Sequence, residues 1–550
     1  MALNPGALVL LPLGGAGEIG MNFNAYGFGP ETDRKWIVVD CGVLFGRETS
    51  TPGVDVIMPD IRYLAERRDD VLAIVLTHAH EDHIGAIGHL WPVLRCPIYA
   101  TPFTAHLIEG KLQEAGLSER VRVRRVALGG HLDLAPFAID FISITHSIPE
   151  PNALAIRTPL GTIVHTGDWK IDPEPLLGQA TDSNALQKLG DEGVLALVCD
   201  STNALVAGTS GSESHVKESL GRLIGEQQGR VAVTAFASNV ARLETVAHAA
   251  RKHDREVVLV GRAMHKMVDA AKASGYLEDF PGTVRDEEAA RIPARHVLYL
   301  CTGSQGESRA ALSRIAANDH PNVSLGPGDT VIFSSRVIPG NELAIFELHN
   351  RLAGLGVEVI SAEDHDVHVS GHPAREELAQ MYRWTRPRIA VPVHGELRHL
   401  TEHARLARSL QVPEAVVVEN GHMLRLAPGP AQVIDETPSG RVHLDGRIMV
   451  ADGEGFARTR RALGFAGIIA VTIVLDSKGR VGADPSFVFE GIPEPVHEAV
   501  RRAVDEATRR QAARRQDADE LRENVRRAAR RAAADVWGKK PLTRVEIVAL

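Results

Sequence analysis

Five residues capable of metal or acid–base chemistry fall within six positions of one segment, "VLAIVLTHAHEDHIGAIGHL": His78, His80, Glu81, Asp82 and His83. The β-branched run "LAIVLT" predicts a buried strand, and "IGAIGHLWPVL" predicts a helix after it. Three imidazoles and two carboxylates at a strand's carboxyl end repel one another when charged and are costly to bury unpaired. A divalent cation resolves the conflict, because neutral imidazole and carboxylate are its preferred ligands. A cation held this way lowers the pKa of a bound water, which makes metal-assisted hydrolysis the chemistry this cluster could do. No G-x-S-x-G nucleophile elbow is present.

The elements around this segment narrow the reading. "LPLGGAGEIGMN" contains a G-x-G-x-x-G (Gly15, Gly17, Gly20), with Asp40 twenty residues beyond Gly20, which is the spacing of a dinucleotide fingerprint. That fingerprint requires a helix directly after the glycines. Here "MNFNAYGFGPETDRKW" follows, broken by Gly27, Gly29 and Pro30, and it predicts strand, turn and strand. The dinucleotide reading therefore fails. From about 210 to 360, apolar strands ("RVAVTAF", "EVVLVG", "HVLYLCTG", "DTVIFSS", "VEVISA") alternate with helical stretches, the rhythm of a doubly wound parallel α/β domain. Ligands of such sheets sit beyond the strands' carboxyl ends. Those ends carry Ser238, Asn239, Arg262, Gly303, Ser304, Gln305, Gly306, Ser335 and Arg336, a candidate anion cradle. After about 445, a hairpin ("GFAGIIAVTIVLDSKGR", "FVFEGI"), two Arg- and Ala-rich helices and the strand "TRVEIVAL" predict a small α/β module.

Composition sets the frame. At 550 residues the chain exceeds one hydrophobic core. No apolar run approaches 18 residues and no signal-peptide pattern opens the sequence, so a soluble, cytoplasmic protein without membrane association is expected. The four cysteines are scattered without C-x-x-C spacing, which excludes a zinc knuckle and a disulfide framework. A net charge of −9 argues against a generally nucleic-acid-coating surface. Residues 501–540 run the other way, with 13 Lys/Arg against 7 Asp/Glu, as a solvated helix face or a nucleic-acid or partner surface.

H-x-H-x-D-H resembles the signature of the metallo-β-lactamase superfamily. "HVSGH" and "PVHGE", following an inserted α/β domain, resemble its β-CASP group of nucleases. Together with "LPLGGAGEIGMN", "GDWKID" and "TGSQGE", the chain is similar to the ribonuclease J family over about residues 8–445. The fold that this implies is α/β: a metallo-β-lactamase αββα sandwich (1–207 and 361–445) with an inserted doubly wound β-CASP domain (208–360). A linker (446–460) and a small C-terminal α/β oligomerisation domain (461–550) follow. By resemblance, one metal takes His78, His80, His146 and Asp168, and a second takes Asp82, His83, Asp168 and His394. His394 stands 226 residues beyond Asp168 (394 − 168). His165 is read as a packing residue. His372 would bind the scissile phosphate with Ser370 and Gly371, helped by His368, while Asp200 orients a ligand or His372.

The resemblance implies a two-metal ribonuclease with zinc as the expected metal and manganese or magnesium as alternatives. It further implies 5′→3′ exonuclease action favouring 5′-monophosphorylated single-stranded RNA, with added endonuclease action, in rRNA processing and mRNA decay. A homodimer or homotetramer and RNA-decay partner proteins are expectations of the same kind. Three other readings compete: a DNA-directed β-CASP nuclease, a small-molecule hydrolase of the glyoxalase II or lactamase kind, and a scaffold without catalysis. The insert opposes the second, and the intact ligand set opposes the third.

Overall fold

The computed structural model describes residues 6–46, 50–509 and 517–550, so residues 510–516 of the basic run lie outside the described residues. The chain divides into two compact units, one formed by residues 1–44 and 58–440 and the other by 45–57 and 441–550.

In the larger unit two sheets face each other. The first has eight strands and includes Ala7–Gly14, Phe23–Gly29, Lys35–Val39, Val71–Val75 and His422–Ala427; the second has seven and includes Phe137–Ser143, Gly161–His165, Val194–Asp200 and Ile389–Val393. Leu8, Leu10, Tyr26, Ile37 and Val75 from one sheet meet Phe141, Ile156, Ile163, Val198 and Val391 from the other in a single fully buried core. Strands this apolar on both faces need cover outside as well. Helices Ser183–Glu192, Arg375–Thr385 and Leu397–Ser409 supply it for the second sheet, where Leu186, Leu378, Met381 and Ala407 pack on Ala153, Val164 and Leu197. Helices Ile87–Leu94 and Pro102–Glu114 follow strands of the first sheet. The layering is αββα.

The glycine-rich opening is a hairpin, as its pattern predicts: Ala7–Gly14 pairs antiparallel with Phe23–Gly29. Gly15, Gly17 and Gly20 all have positive φ, which their missing Cβ permits.

The insert is a six-stranded sheet, parallel throughout, in the order Thr283–Val284, Glu256–Val260, Val297–Cys301, Val231–Thr234, Thr330–Phe333, Glu358–Ile360. Its core joins Val258, Tyr299, Val331 and Phe333 to Leu312, Ile315, Leu348 and Leu352 from the helices.

In the smaller unit, Ile468–Leu475 pairs antiparallel with Ser486–Glu490 and parallel with Leu542–Ala549. Helices Glu494–Arg509 and Ala518–Trp537 bury Val496, Val500, Val504, Leu521 and Val525 with Ile469 and Val471 of this sheet. The stretch read as a linker, 446–460, holds regular structure. It holds strand Ile448–Ala451, paired with Arg441–Asp445, and enters helix Phe456–Ala466. The Gly-containing "DGRIMVADGEG" is hairpin chemistry that composition alone reads as a spacer.

Candidate metal centre

Every candidate ligand leaves the carboxyl end of a core strand. His78 and His80 follow Val71–Val75, and the one-turn helix Glu81–Ile84 then presents Asp82 and His83. His146 follows Phe137–Ser143, and Asp168 follows Gly161–His165. Asp200 ends Val194–Asp200, and His394 comes directly after Ile389–Val393. These last two strands are parallel neighbours in register, Asp200 opposite Val393, so residues distant in sequence arrive at one edge.

The ligand atoms form overlapping groups within 4.8 Å: His78, His80, His146 and Asp168; Asp82, His83, Asp168 and His394; and Asp168, Asp200, His372 and His394. Asp168 belongs to all three. Imidazole nitrogens converge on one point, with His80 Nδ1 at 3.1 Å from His78 Nε2 and 3.0 Å from His146 Nε2. On the other side, His394 Nε2 lies 3.1 Å from Asp82 Oδ2 and His83 Nε2 lies 3.2 Å from Asp168 Oδ2. Asp168 Oδ1 is buried without a hydrogen-bond partner. An orphaned carboxylate oxygen among converging imidazoles fits divalent cations, because otherwise its desolvation is uncompensated.

The distal nitrogens are held as a metal site requires. His78 Nδ1 meets Thr77 Oγ1 at 3.0 Å, His146 Nδ1 donates to Gly371 O at 2.6 Å, His83 Nδ1 meets Asp40 Oδ2 at 2.7 Å, and His394 Nδ1 meets Thr202 Oγ1 at 2.8 Å. Gly371 is obligatory here, since a Cβ would stand 2.8 Å from His146 Cε1 and from Ser147 Oγ.

Electrostatics separates the two sides. Burial, reinforced by neighbouring histidines, holds His78 and His146 well below the usual imidazole range, and burial takes His80 to about 4. These rings are neutral at pH 7 and ready to donate a lone pair. Burial also disfavours charge on His83 and His394, but Asp168, Asp82, Asp40 and Asp200 outweigh it and raise both. Positive charge is favoured on that side, so a cation binding there displaces protons. Burial disfavours ionised Asp168, yet the pull of His394 and His83 keeps it well below the ordinary carboxylate range.

Sequence reasoning passed over Asp40, noticing it only as a failed nucleotide ligand. The structure buries it completely at the end of strand Lys35–Val39, where it accepts from the Thr77 amide at 2.9 Å and its hydroxyl at 2.9 Å while orienting His83. Its sequence signal was an acidic residue closing the apolar run "WIVVD". Asp40→Asn keeps the volume but loses the charge that fixes the His83 tautomer. About a tenfold loss of metal affinity is expected, measured by competition with a chelator; unchanged affinity would leave Asp40 a purely structural role. Thr202 and Asn203 were also missed. The glycine loop braces the centre through its backbone, where His394 N donates to Gly15 O at 2.6 Å and Asn22 N donates to Asp82 O at 2.9 Å.

His372 Nδ1 meets Asp200 Oδ2 at 2.8 Å, and the ring stacks on His394 at 5.6 Å between centroids. Its side chain is 24% exposed, against 2% for Asp168. Ser370 Oγ accepts from the His372 amide and from Asn203 Nδ2, which makes it a turn-forming hydroxyl. His368 falls outside the clusters. Burial beside Arg242, Arg336 and Lys170 takes its ring to about 3, and its Nδ1 has no hydrogen-bond partner. His165 packs against Tyr26, with Nδ1 at 2.8 Å from the phenol oxygen.

The cradle residues separate into two sets. Arg262, Gly303 and Ser304 line a cavity of ≈ 660 Å³ with Phe236, Lys266 and Thr302, but Glu114 and Glu307 line it too and offset the cations. Asn239 is not a free ligand: Oδ1 caps helix Val240–Lys252 through Arg242 N, and Nδ2 donates to Glu213. Gln305 fastens the next loop, with Nε2 on Arg336 O and Oε1 accepting from Ile338 N. Ser335 Oγ reaches Ser304 O at 3.5 Å. These residues brace the turns, a role that βα-loop composition alone does not distinguish from ligand binding.

Fold and site together define a metal-dependent hydrolase of the metallo-β-lactamase superfamily, and the superfamily's family model matches residues 24–187. Three further models match: "Ribonuclease J, beta-CASP domain" over 228–352, "Zn-dependent metallo-hydrolase RNA specificity domain" over 358–417, and "Ribonuclease J C-terminal domain" over 456–550. The chain is 49% identical to ribonuclease J of Sinorhizobium meliloti, across 98% of this chain and 97% of that one. Ribonuclease J of Thermus thermophilus is 36% identical, across 97% and 94%. A crystal structure of a protein of unknown function from Enterococcus faecalis V583 shares the fold, with a TM-score of 0.54 at 17% identity, covering 76% of this chain and 100% of that chain. The chain belongs to the ribonuclease J family.

Proposed function

We propose that this ribonuclease J-like enzyme cleaves single-stranded RNA at two divalent cations, zinc in the first instance. His78, His80, His146 and Asp168 would hold one, and Asp82, His83, Asp168 and His394 the other. The observation that carries the reading is the position of Asp168, shared by both ligand sets, beside the partly exposed His372. When bound, the cations supply an activated water and positive charge for the developing phosphorane. The chain's residues do the rest. Asp200 accepts from His372 Nδ1 and thereby leaves Nε2 for a phosphate oxygen, where a fixed donor stabilises charge that grows in the transition state. Cleavage then leaves a 5′-phosphate and a 3′-hydroxyl.

The insert's cavity lined by Arg262, Gly303 and Ser304 would receive the RNA 5′ end. Holding that end at a set distance from the cations yields stepwise 5′→3′ cutting with preference for a 5′-monophosphate, and threading past it yields endonuclease cuts. A cytoplasmic role in rRNA maturation and mRNA decay belongs to the same reading, as do assembly into a dimer or tetramer and domain limits near 207, 360 and 445. Among the described residues, no helix is long and apolar enough to cross a membrane.

The test compares 5′-monophosphorylated RNA, 5′-triphosphorylated RNA and DNA of matching sequence. Mononucleotide release is expected from the monophosphorylated RNA, with slower loss of the triphosphate and survival of the DNA. Equal digestion of DNA would favour the DNA-directed alternative, and equal rates on both RNAs would remove the 5′-end reading.

A further inference from the structure

Arg242, in the first turn of helix Val240–Lys252 of the insert, is completely buried and belongs to none of the ligand clusters. Its guanidinium works in two directions. Nη2 and Nε grip the carboxylate of Glu213 at 2.8–3.2 Å. Nη1 donates to Ser334 Oγ at 2.5 Å, to Ser334 O at 3.1 Å and to Val367 O at 2.9 Å. The Ser334 hydroxyl donates to the same Val367 carbonyl at 2.7 Å. Val367 thus receives two buried donors, both from the insert.

Val367 begins the segment that returns from the insert to the sandwich and carries His372 five residues on. The far end of that segment is held by His146 on Gly371 O, by Asp200 on His372 and by Asn203 on Ser370. The Glu213 end of the network reaches back toward Asp168. The Glu213 amide donates to Asp172 at 3.1 Å, Ser212 Oγ donates to Asp172 at 2.7 Å, and Lys170 pairs with Asp172 at 3.1 Å. One buried chain of charges therefore joins the strand exit that bears Asp168 to the segment that bears His372.

We infer that Arg242 is a positioning residue: it fixes the near end of the 367–372 segment through the Val367 carbonyl and so sets where His372 meets the substrate phosphate. The inference rests on the proposed role of His372. A planar fork can satisfy Glu213 and Val367 at once, whereas an ammonium is a point charge that reaches one of them. Misplacing a reacting group by an ångström costs up to about a hundredfold in rate.

The experiment uses the full-length enzyme and a double-mutant cycle. Arg242→Lys is expected to lower kcat for monophosphorylated RNA about ten- to a hundredfold and to lower the unfolding temperature, since one buried partner is left unsatisfied, with KM and bound metal near wild type. Ser334→Ala, which removes one of the two donors to Val367, is expected to lower kcat less, and it carries the same cycle if the lysine variant fails to fold. The decisive reading is coupling: Arg242→Lys combined with His372→Ala turns over no more slowly than His372→Ala alone. Multiplying losses, or metal lost from the Arg242 or Ser334 variants, would overturn the inference. Wild-type turnover by His372→Ala would instead overturn the role of His372 on which it rests.

Discussion

Asp82→Ala combined with His83→Ala is expected to abolish hydrolysis of 5′-labelled monophosphorylated RNA and to leave the protein with about half the bound zinc. The short helix Glu81–Ile84 carries both side chains, and in the structure they face Asp168 and His394. Removing them strips two of four donors from one set, yet His78 and His146 keep their hydrogen-bonded orientation. A site with half its donors does not retain a cation at cellular concentrations. The loss of nucleophile activation and charge neutralisation together removes several kcal/mol of transition-state stabilisation. Residual turnover near wild type would dismiss this side of the centre as catalytic, and full metal content would show the ligands misassigned. His83 is also the ring that Asp40 orients, so unfolding must be followed in parallel to separate lost chemistry from lost packing.

The second large effect is expected from His372→Ala. This ring touches Asp200 at 2.8 Å and stays 3.8 Å from Asp168, outside the two proposed ligand sets and sharing only the third group with Asp168, Asp200 and His394. The variant should therefore keep its full metal content and its affinity for RNA, while kcat falls about 10²–10³-fold, the usual consequence of deleting one preorganised donor to a developing oxyanion. Burial opposes a charged His372, but Asp200 and Asp168 outweigh it and raise its pKa. The ring thus holds its proton to higher pH than a free imidazole, which suits a donor. His372→Gln, with an amide N–H, should recover part of the loss. If metal leaves with the imidazole, the residue is a ligand and the assignment of roles changes.

Much of this centre was legible in the sequence because its parts obey local rules. H-x-H-x-D-H sits on a strand-to-helix turn, where five chemical groups have no inexpensive alternative to a cation, and each later ligand ends an apolar run. The βα rhythm of the insert was legible for the same reason, since parallel strands buried on both faces read as continuous apolar segments. Other features follow from neighbours that spacing does not reveal. Asp40 closes an apolar strand like any acid before a turn, and only the parallel pairing of Lys35–Val39 with Val71–Val75 shows that it lies beneath His83. Asn239 and Gln305 have the composition of anion-binding turns, but their side chains are consumed by a helix cap and a loop latch. Arg242 gave no signal at all: an arginine in "NVARLETVAHAARK" reads as solvent-facing until its burial against Glu213 is seen.

The order of the ligands along the chain has a consequence for synthesis. Asp82 and Asp168 emerge early, but His372 and His394 follow only after the insert, 226 residues beyond Asp168 in the case of His394 (394 − 168). A nascent polypeptide that has folded its first sheet still lacks both late histidines, and the strand Ile389–Val393 that delivers the last of them must first insert beside Val194–Asp200. On the proposed ligand assignment, a nascent chain would have no complete centre, and so no means of cutting the message it is translated from, until more than two thirds of its length has left the ribosome.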